Sequence, residues 1–278
     1  MKKVISASRR TDLVAFFPGW LASVLRERSV MVDGPRGSRY RVGLDPAMVH
    51  TIVLWSKNFE PLLSNRYGLR DVLSEYDQIY CHFTITGLGG TVIEPSVPDP
   101  DTAFSQLDRL LSLLRNPRRL SVRFDPVVYW REDGMDHDNL SFFKRLAPRL
   151  SQKGICDVRF SFVQWNTKSK KRAEKAGFIF RDPSSFEKKE AAARLAHEAR
   201  EWGLNLYSCA QSEWTEVSGI QSSACIDGRL LQSLHPGREK ASFACDQSQR
   251  PDCLCTKSSD IGSYNQSCPH PCLYCYAN

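Results

Sequence analysis

In Ile79-Tyr80-Cys81-His82-Phe83-Thr84-Ile85-Thr86, two faces of different character are interleaved. A strand sends successive side chains to opposite sides. Ile79, Cys81, Phe83 and Ile85 therefore share one face, and Tyr80, His82, Thr84 and Thr86 share the other. Leu120-Ser-Val-Arg-Phe-Asp125 repeats the pattern, with Val122 and Phe124 opposing Ser121, Arg123 and Asp125. An open, doubly wound sheet buries both faces under helices and favours apolar residues on both. A polar second face suits the lumen of a barrel. No G-x-G-x-x-G follows the first strand, which removes the usual sign of a Rossmann sheet.

Working outward, further short runs of β-branched and aromatic residues predict strands at Val4–Ser8, Thr51–Trp55, Val158–Val163 and Leu204–Ser208, with Ile79–Thr86 and Leu120–Asp125 between them. Helical periodicity separates them. Phe104, Leu107, Leu110, Leu111 and Leu114 form one apolar stripe. Ser184-x-x-Glu187 reads as a capping box, and Gly203 as the stop of the same helix. A βαβ unit takes about 30 residues or more, so six units fit the first 208 residues. The predicted fold is α/β: a six-stranded parallel (β/α) barrel, partial TIM-like, over residues 1–208. Residues 209–278 are predicted to form a Cys-rich, irregular segment packed on the carboxyl ends of the strands. Val30 to Val42 reads as a small hairpin around Pro35-Arg-Gly-Ser38.

With 278 residues, 41% of them hydrophobic and 25% charged, the chain can bury a substantial core unaided by disulfides. No apolar run approaches the ~18 residues of a membrane span. The opening Met1-Lys-Lys-Val-Ile-Ser-Ala-Ser lacks the hydrophobic stretch of a secretory signal. The expected location is cytoplasmic, with no membrane partner. Eight of the ten cysteines follow Ser208. In a reducing compartment such crowding points to metal or redox chemistry instead of disulfides. The net charge is +7, with basic clusters at Arg115–Arg119 and Lys168–Lys175. These read either as solvated surface or as attraction for a nucleic acid or other anion.

In parallel α/β folds, ligands gather at the carboxyl ends of the strands. There the sequence offers Ser8-Arg9-Arg10-Thr11-Asp12, Trp55-Ser56-Lys57-Asn58, Thr84, Thr86 and Gly87-Leu-Gly89-Gly90, Arg123 with Asp125-Pro126, and Ser161 with Gln164. Such groups are costly to bury without partners, so their convergence suggests an anionic or zwitterionic ligand. Arg10, Lys57, Arg123 and Asp125 are the expected catalytic residues. Plainer readings stand beside this one. Asp12 caps a helix, Arg123 pairs with Asp125, His82 is a core histidine, and Gly87 to Gly90 make a turn.

Cys268-Pro-His-Pro-Cys272-Leu-Tyr-Cys275 is C-x-x-x-C-x-x-C. Three thiolates can hold three irons of a cubane cluster and leave the fourth open. A fully capped cluster mainly moves electrons, whereas a vacant position marks a catalytic metal. The segment closely resembles the cluster motif of the radical S-adenosylmethionine (SAM) superfamily, and locally its members related to spore photoproduct lyase. The resemblance implies a [4Fe–4S] cluster on Cys268, Cys272 and Cys275. It also implies SAM chelated at the open iron and cleaved to a 5′-deoxyadenosyl radical, and a core of (β/α)6 barrel type. Tyr274 would lie against adenine, Thr86 and Gly87 would help bind the cofactor, and a flavodoxin or ferredoxin would act as reductant. Superfamily members carry the motif after their first strand, so its place here implies circular permutation. The Gly-Gly-Glu segment that often holds the SAM amine is represented at best by Gly89-Gly90-Thr91.

A wider likeness runs through Ser6–Asp12, Trp55–Asn58, Arg123–Pro126, Cys225–Asp227 and Asp260–Gly262. These stretches resemble an uncharacterised prokaryotic family, domain of unknown function 1848. Of the remaining thiols, Cys209, Cys225, Cys253 and Cys255 lie in family-like segments, and four thiolates would complete a second, closed cluster, with zinc as the alternative. Cys245 reads as a spectator, and Cys81 and Cys156 as small hydrophobes. The leading expectation is a radical SAM-type enzyme acting on an unidentified substrate, a nucleic acid being compatible with the charge. The alternatives are a non-enzymatic iron–sulfur sensor of redox state or iron, and a zinc-stabilised nucleic-acid binder using Trp55, Trp130 and Trp165.

Overall fold

The computed structural model describes residues 1–34, 37–263 and 265–276. Its strands are β1 (Lys3–Ala7), β2 (Ser29–Asp33), β3 (Arg39–Gly43), β4 (Val49–Ser56), β5 (Ile79–Thr84), β6 (Leu120–Val127), β7 (Tyr129–Glu132), β8 (Met135–Asp138), β9 (Asp157–Phe162), β10 (Ile179–Arg181), β11 (Asn205–Ser208), β12 (Ile220–Ser222) and β13 (Ser259–Asp260). Eight of them form one sheet in the order β12-β11-β9-β6-β5-β4-β1-β13. Every neighbouring pair in it is parallel. From β1 to β12 each new strand joins the same edge, so the winding never reverses as it does in a doubly wound sheet.

All six expected strands lie in this sheet, but the count of six is corrected to eight. The two extra strands, β12 and β13, form the edges and come from the segment expected to be irregular. That segment also carries a helix, Gly228–Leu234. Edge strands of two or three residues carry no apolar run to read. Pairing defines them, Leu206 with Ile220 on one edge and Ile5 with Ser259 on the other. No pairing joins β12 to β13 among the described residues.

The alternation in β5 and β6 divides the interior in two. Ile5, Ile52, Cys81, Phe83, Val122 and Phe124 belong to the large core packed beneath the helices. The opposite face, through Val4, Val53 and Tyr80, packs on Ile226, Leu231 and Leu234 of the C-terminal segment. Helices therefore cover one face and residues after Cys209 cover the other. The helix Pro100–Leu114 shows why the outer layer forms. Asp99 caps it by accepting from the N–H groups of Asp101 and Thr102, and Pro100 opens it, an arrangement worth about 1 kcal/mol. Its stripe is buried at Phe104, Leu107, Leu110 and Leu114. The helix Ser185–Glu201 carries the expected capping box, with both hydrogen bonds between Ser184 and Glu187 present. Gly203 follows it at φ +64°.

The expected hairpin is β2–β3, antiparallel from Ser29↔Gly43 to Asp33↔Arg39. Pro35 and Arg36 of its expected turn, and Ala277 beyond the cysteine motif, lie outside the described residues. A second small sheet, β10-β7-β8, follows β6. Its β7–β8 turn is Asp133-Gly134, both at positive φ, the two-residue turn that matches strand twist.

Candidate functional site

The cysteine motif docks on the carboxyl ends of β1, β4 and β5 through two carboxylates. The first is Asp12. It caps the short helix α1 (Leu13–Phe16) by accepting from Ala15 N–H, so the plainer reading of Asp12 is right. It also accepts from Ser56 Oγ (2.8 Å) and Lys57 N–H (2.9 Å), the start of the turn after β4. His270 of the motif lies 3.2 Å from its Oδ2 and packs edge-on to Phe16 at 4.5 Å. The second is Glu94, which sequence reasoning missed. Its carboxylate, 1% exposed, takes Lys57 Nζ at 2.8 Å, Thr86 Oγ1 at 2.8 Å and the Tyr274 hydroxyl. The Tyr274 ring lies 5.7 Å from Lys57 Nζ. The backbone seals the junction: Leu273 N–H donates to Ile93 C=O at 3.1 Å. Arg172, on the basic helix Thr167–Lys175, donates to the carbonyls of Leu273 and Cys275.

The electrostatics follow from burial. Burial works against the Lys57 charge, but the Glu94 carboxylate more than restores it, so the ammonium is held charged. Burial pushes the Cys272 thiol up to about 12, although Lys57 partly offsets it. Burial also raises Cys268. In the metal-free protein these two are thiols, and metal binding must displace their protons. The Tyr274 phenol is held well above its ordinary range by burial and by Glu94. Lys57, Thr86, Gly87 and Glu94 enclose a cavity of about 10 Å³, room for one water.

The other expected residues are placed as follows. Arg10 donates to Gly262 C=O at 2.8 Å and lies 3.9 Å from Asp260, which ties it to the β13 strap. Arg123 pairs with Asp125, as the plainer reading had it, and Asp125 also accepts from Ser161. Gly87 sits at φ +80°, and a Cβ there would meet the Phe142 ring at 2.3 Å. Turn and packing both demand glycine at that position. His82 is a core histidine. It is fully buried, stacked on Trp55 at 4.2 Å, and donates from Nε2 to Cys225 C=O at 2.7 Å. Burial keeps it neutral.

Cys209, Cys225, Cys253 and Cys255 come together on the inner face of the sheet, in one cluster with Val53 and Tyr80. Arg123 reaches this group, with Nη1 2.9 Å from Cys225 Sγ. Arg9, the neighbour of the expected Arg10, reaches Cys255. Both guanidiniums lie against Trp55, 5.4 and 5.6 Å from its ring centre. Trp55 is therefore an interior residue bonded through Nε1 to Ser6. Cys245, expected as a spectator, faces Thr256 across an isolated bridge and puts its Sγ 3.8 Å from Cys253 C=O. Cys81 is buried in the large core, whereas Cys156, expected to pack as a small hydrophobe, is exposed. Among the described residues no helix is long and apolar enough to cross a membrane.

The molecule is thus an α/β protein whose parallel sheet carries two groups of cysteines, one at its carboxyl rim and one on its inner face. It belongs to the domain of unknown function 1848 family, whose model matches residues 4–277. No curated protein matches it. Among solved structures, it is similar at 11% identity to a D-hydantoinase, with 92% of this chain and 62% of that one covered and a TM-score of 0.34. It is also similar at 11% identity to a morphinone reductase in complex with tetrahydroNAD, with 94% and 68% covered and a TM-score of 0.31. The chain thus spans less than two thirds of the D-hydantoinase. Likenesses this distant carry no argument about its chemistry.

Proposed function

We propose that Cys268, Cys272 and Cys275 hold an open-site [4Fe–4S] cluster at the rim, and that the protein is a radical SAM-type enzyme. The observation that carries this reading is the docking of the three-cysteine segment on Asp12 and Glu94, at the ends of three parallel strands. The donor set fits: three thiols spaced C-x-x-x-C-x-x-C, at the strand ends where such folds bind ligands. When bound, the cluster would supply the one-electron chemistry that cleaves SAM, and the protein would position the reactants and exclude water. We also read the sheet as a partial barrel whose lumen is filled by the C-terminal segment. Its one-way winding and one-sided helical cover support this.

Glu94 follows Gly89-Gly90, and Gly90 N–H donates to Glu94 C=O at 3.1 Å. It can stand for the acid of the superfamily's Gly-Gly-Glu segment. Its carboxylate already takes Lys57, Thr86 and Tyr274, so a ligand ammonium gains access only by displacing one of them. SAM binding is therefore expected to loosen Tyr274. Lys57, Arg123 and Asp125 remain the proposed contacts for SAM or substrate, and Arg10 acts through the strap.

The test is anaerobic reconstitution with iron and sulfide, then reaction with SAM and a strong one-electron reductant. The expected product is 5′-deoxyadenosine, abolished by Cys272→Ala along with about four irons per chain. A loaded cluster whose EPR signal ignores SAM, with no SAM cleaved, refutes the assignment.

A further inference from the structure

The four inner-face thiols come from three stretches of chain: Cys209 just after β11, Cys225 between β12 and the 228–234 helix, and Cys253 with Cys255 before β13. Cys209 Sγ and Cys225 Sγ lie 3.5 Å apart. Ile226 N–H donates to Cys255 Sγ at 3.4 Å, and Cys253 borders Cys255. Cys209, Cys225 and Cys255 are buried, Cys253 is half-buried, and all four are free thiols.

The surroundings are cationic. Besides its contact with Cys225, Arg123 points Nη2 at Cys209 Sγ, 3.6 Å away. Arg9 approaches Cys255 from the β1 side and leaves its buried Nη2 without a hydrogen-bond partner among the described residues. A third buried guanidinium, Arg159, donates to Ser223, Ser121 and the Ala224 carbonyl, all neutral. Buried cations cost several kcal/mol each unless anions meet them. Asp125 and Asp260 supply part of that charge, and thiolates would supply the rest. Neutral thiols give a guanidinium little in return.

The spacing bears on the metal. One zinc at about 2.3 Å from each thiolate holds every pair of sulfurs about 3.8 Å apart. Among the described residues, the group of three metal-capable side chains with all ligand atoms within 4.8 Å is Asp77, His235 and Glu239, and no three of these cysteines qualify. The Cys209–Cys225 pair, 3.5 Å apart, matches that spacing, whereas the quartet as a whole is wider than one ion's shell. The Asp77 group is plugged instead. Lys2 Nζ sits 2.8 Å from Asp77 and 3.1 Å from Glu239, and Gly237 N–H donates to His235 Nδ1. That bond keeps the proton on Nε2, the atom a metal would need.

We propose that Cys209, Cys225, Cys253 and Cys255 hold a second, closed iron–sulfur cluster, with Arg9 and Arg123 as its charge partners. With every iron capped, the centre stores or passes electrons and has no position for a ligand. Arg123 binds Asp125 as well as the thiols, so it joins this centre to the rim. The inference stands independently of SAM cleavage.

The experiment counts iron and sulfide in the full chain after anaerobic reconstitution and follows the reduction potential by EPR titration. The variant Cys268→Ser/Cys272→Ser/Cys275→Ser should retain about four irons with matching sulfide. Cys225→Ser, in the otherwise intact chain, should lose about four. Arg123→Gln should keep the cluster and lower its midpoint potential, because a nearby positive charge favours the reduced form. A folded triple variant that is colourless or loaded with zinc overturns the proposal, as does unchanged iron in Cys225→Ser. Should the triple variant or Cys225→Ser fail to fold, the half-buried Cys253→Ser decides by the same count. Absence of 5′-deoxyadenosine with these counts intact would sink the enzyme reading alone.

Discussion

Replacing Glu94 with Ala removes one carboxylate and strands three donors. Lys57 Nζ loses its 2.8 Å partner, Thr86 loses its acceptor, and Tyr274 loses the bond that fixes the cysteine motif. The ion pair is buried, with side-chain exposures of 15% and 1%. Breaking one side of such a pair costs about 3–5 kcal/mol, since the partner charge stays in low dielectric without compensation. That is a large share of the roughly 5–15 kcal/mol by which a folded domain is stable. For a chain of this size it corresponds to a fall in Tm of very roughly 6–10 °C. Removing both charges in Glu94→Ala/Lys57→Met should cost much less than the sum of Glu94→Ala and Lys57→Met, because no orphaned ion remains. The assay is urea and thermal unfolding of the four proteins as a double-mutant cycle. Amide hydrogen exchange at Leu273, whose N–H bonds to Ile93, should accelerate in Glu94→Ala. If Glu94→Ala costs under about 1 kcal/mol, or if the two single changes simply add, Glu94 does not anchor the tail and the argument fails.

Three further outcomes follow from other contacts. Hydrogen bonds from Ser184, reinforced by Arg181, hold Glu187 down at about 2 against an ordinary 4.5. The folded form therefore favours the carboxylate, and its stabilising effect is complete above about pH 4.5 and lost as pH falls toward 2. The stability gap between wild type and Glu187→Gln should close over that window, and a constant gap would contradict it. Gly262→Ala would place a Cβ 2.1 Å from Ser8 Oγ, forcing β13 off β1 at a cost of about 1–3 kcal/mol. Gly237→Ala, whose nearest neighbour is 3.6 Å away, is the matched control and should be near neutral in urea unfolding. Asp12→Asn leaves an amide facing the Ala15 and Lys57 N–H donors, and should cost about 1–3 kcal/mol while exposing the His270 loop to proteolysis.

Wherever side-chain period carried the information, the chain was legible. The two faces of β5 and β6 do enter different environments, and the Phe104–Leu114 stripe and the Ser184 capping box formed as read. The inner face proved polar because it meets Arg-lined thiols and the C-terminal segment. What failed to register has physical causes. Glu94 sits in a Gly- and Pro-containing loop, where an acid looks solvent-exposed until three donors converge on it. Arg9 and Arg10 are neighbours of identical type. Only the backbone path after β1 sends Arg9 toward Trp55 and Arg10 toward Gly262. The Asp133-Gly134 turn was a readable hairpin signal, but Arg131, Glu132, Met135 and Asp136 beside it are exposed, and the two short strands carry no apolar alternation to flag them.

The joining of β1 to β13 has a consequence for biogenesis. Ser6 and Asp260, 254 residues apart, bond directly, and Asp12 meets His270 across 258. Contacts this distant in sequence are slow to form. During synthesis the docking residues Asp12, Lys57 and Glu94 are translated long before the Cys268–Cys275 motif emerges from the ribosome. On the proposed assignment, an iron–sulfur delivery factor would meet a largely folded scaffold whose cysteine motif is still loose, and loading would precede the docking of that motif.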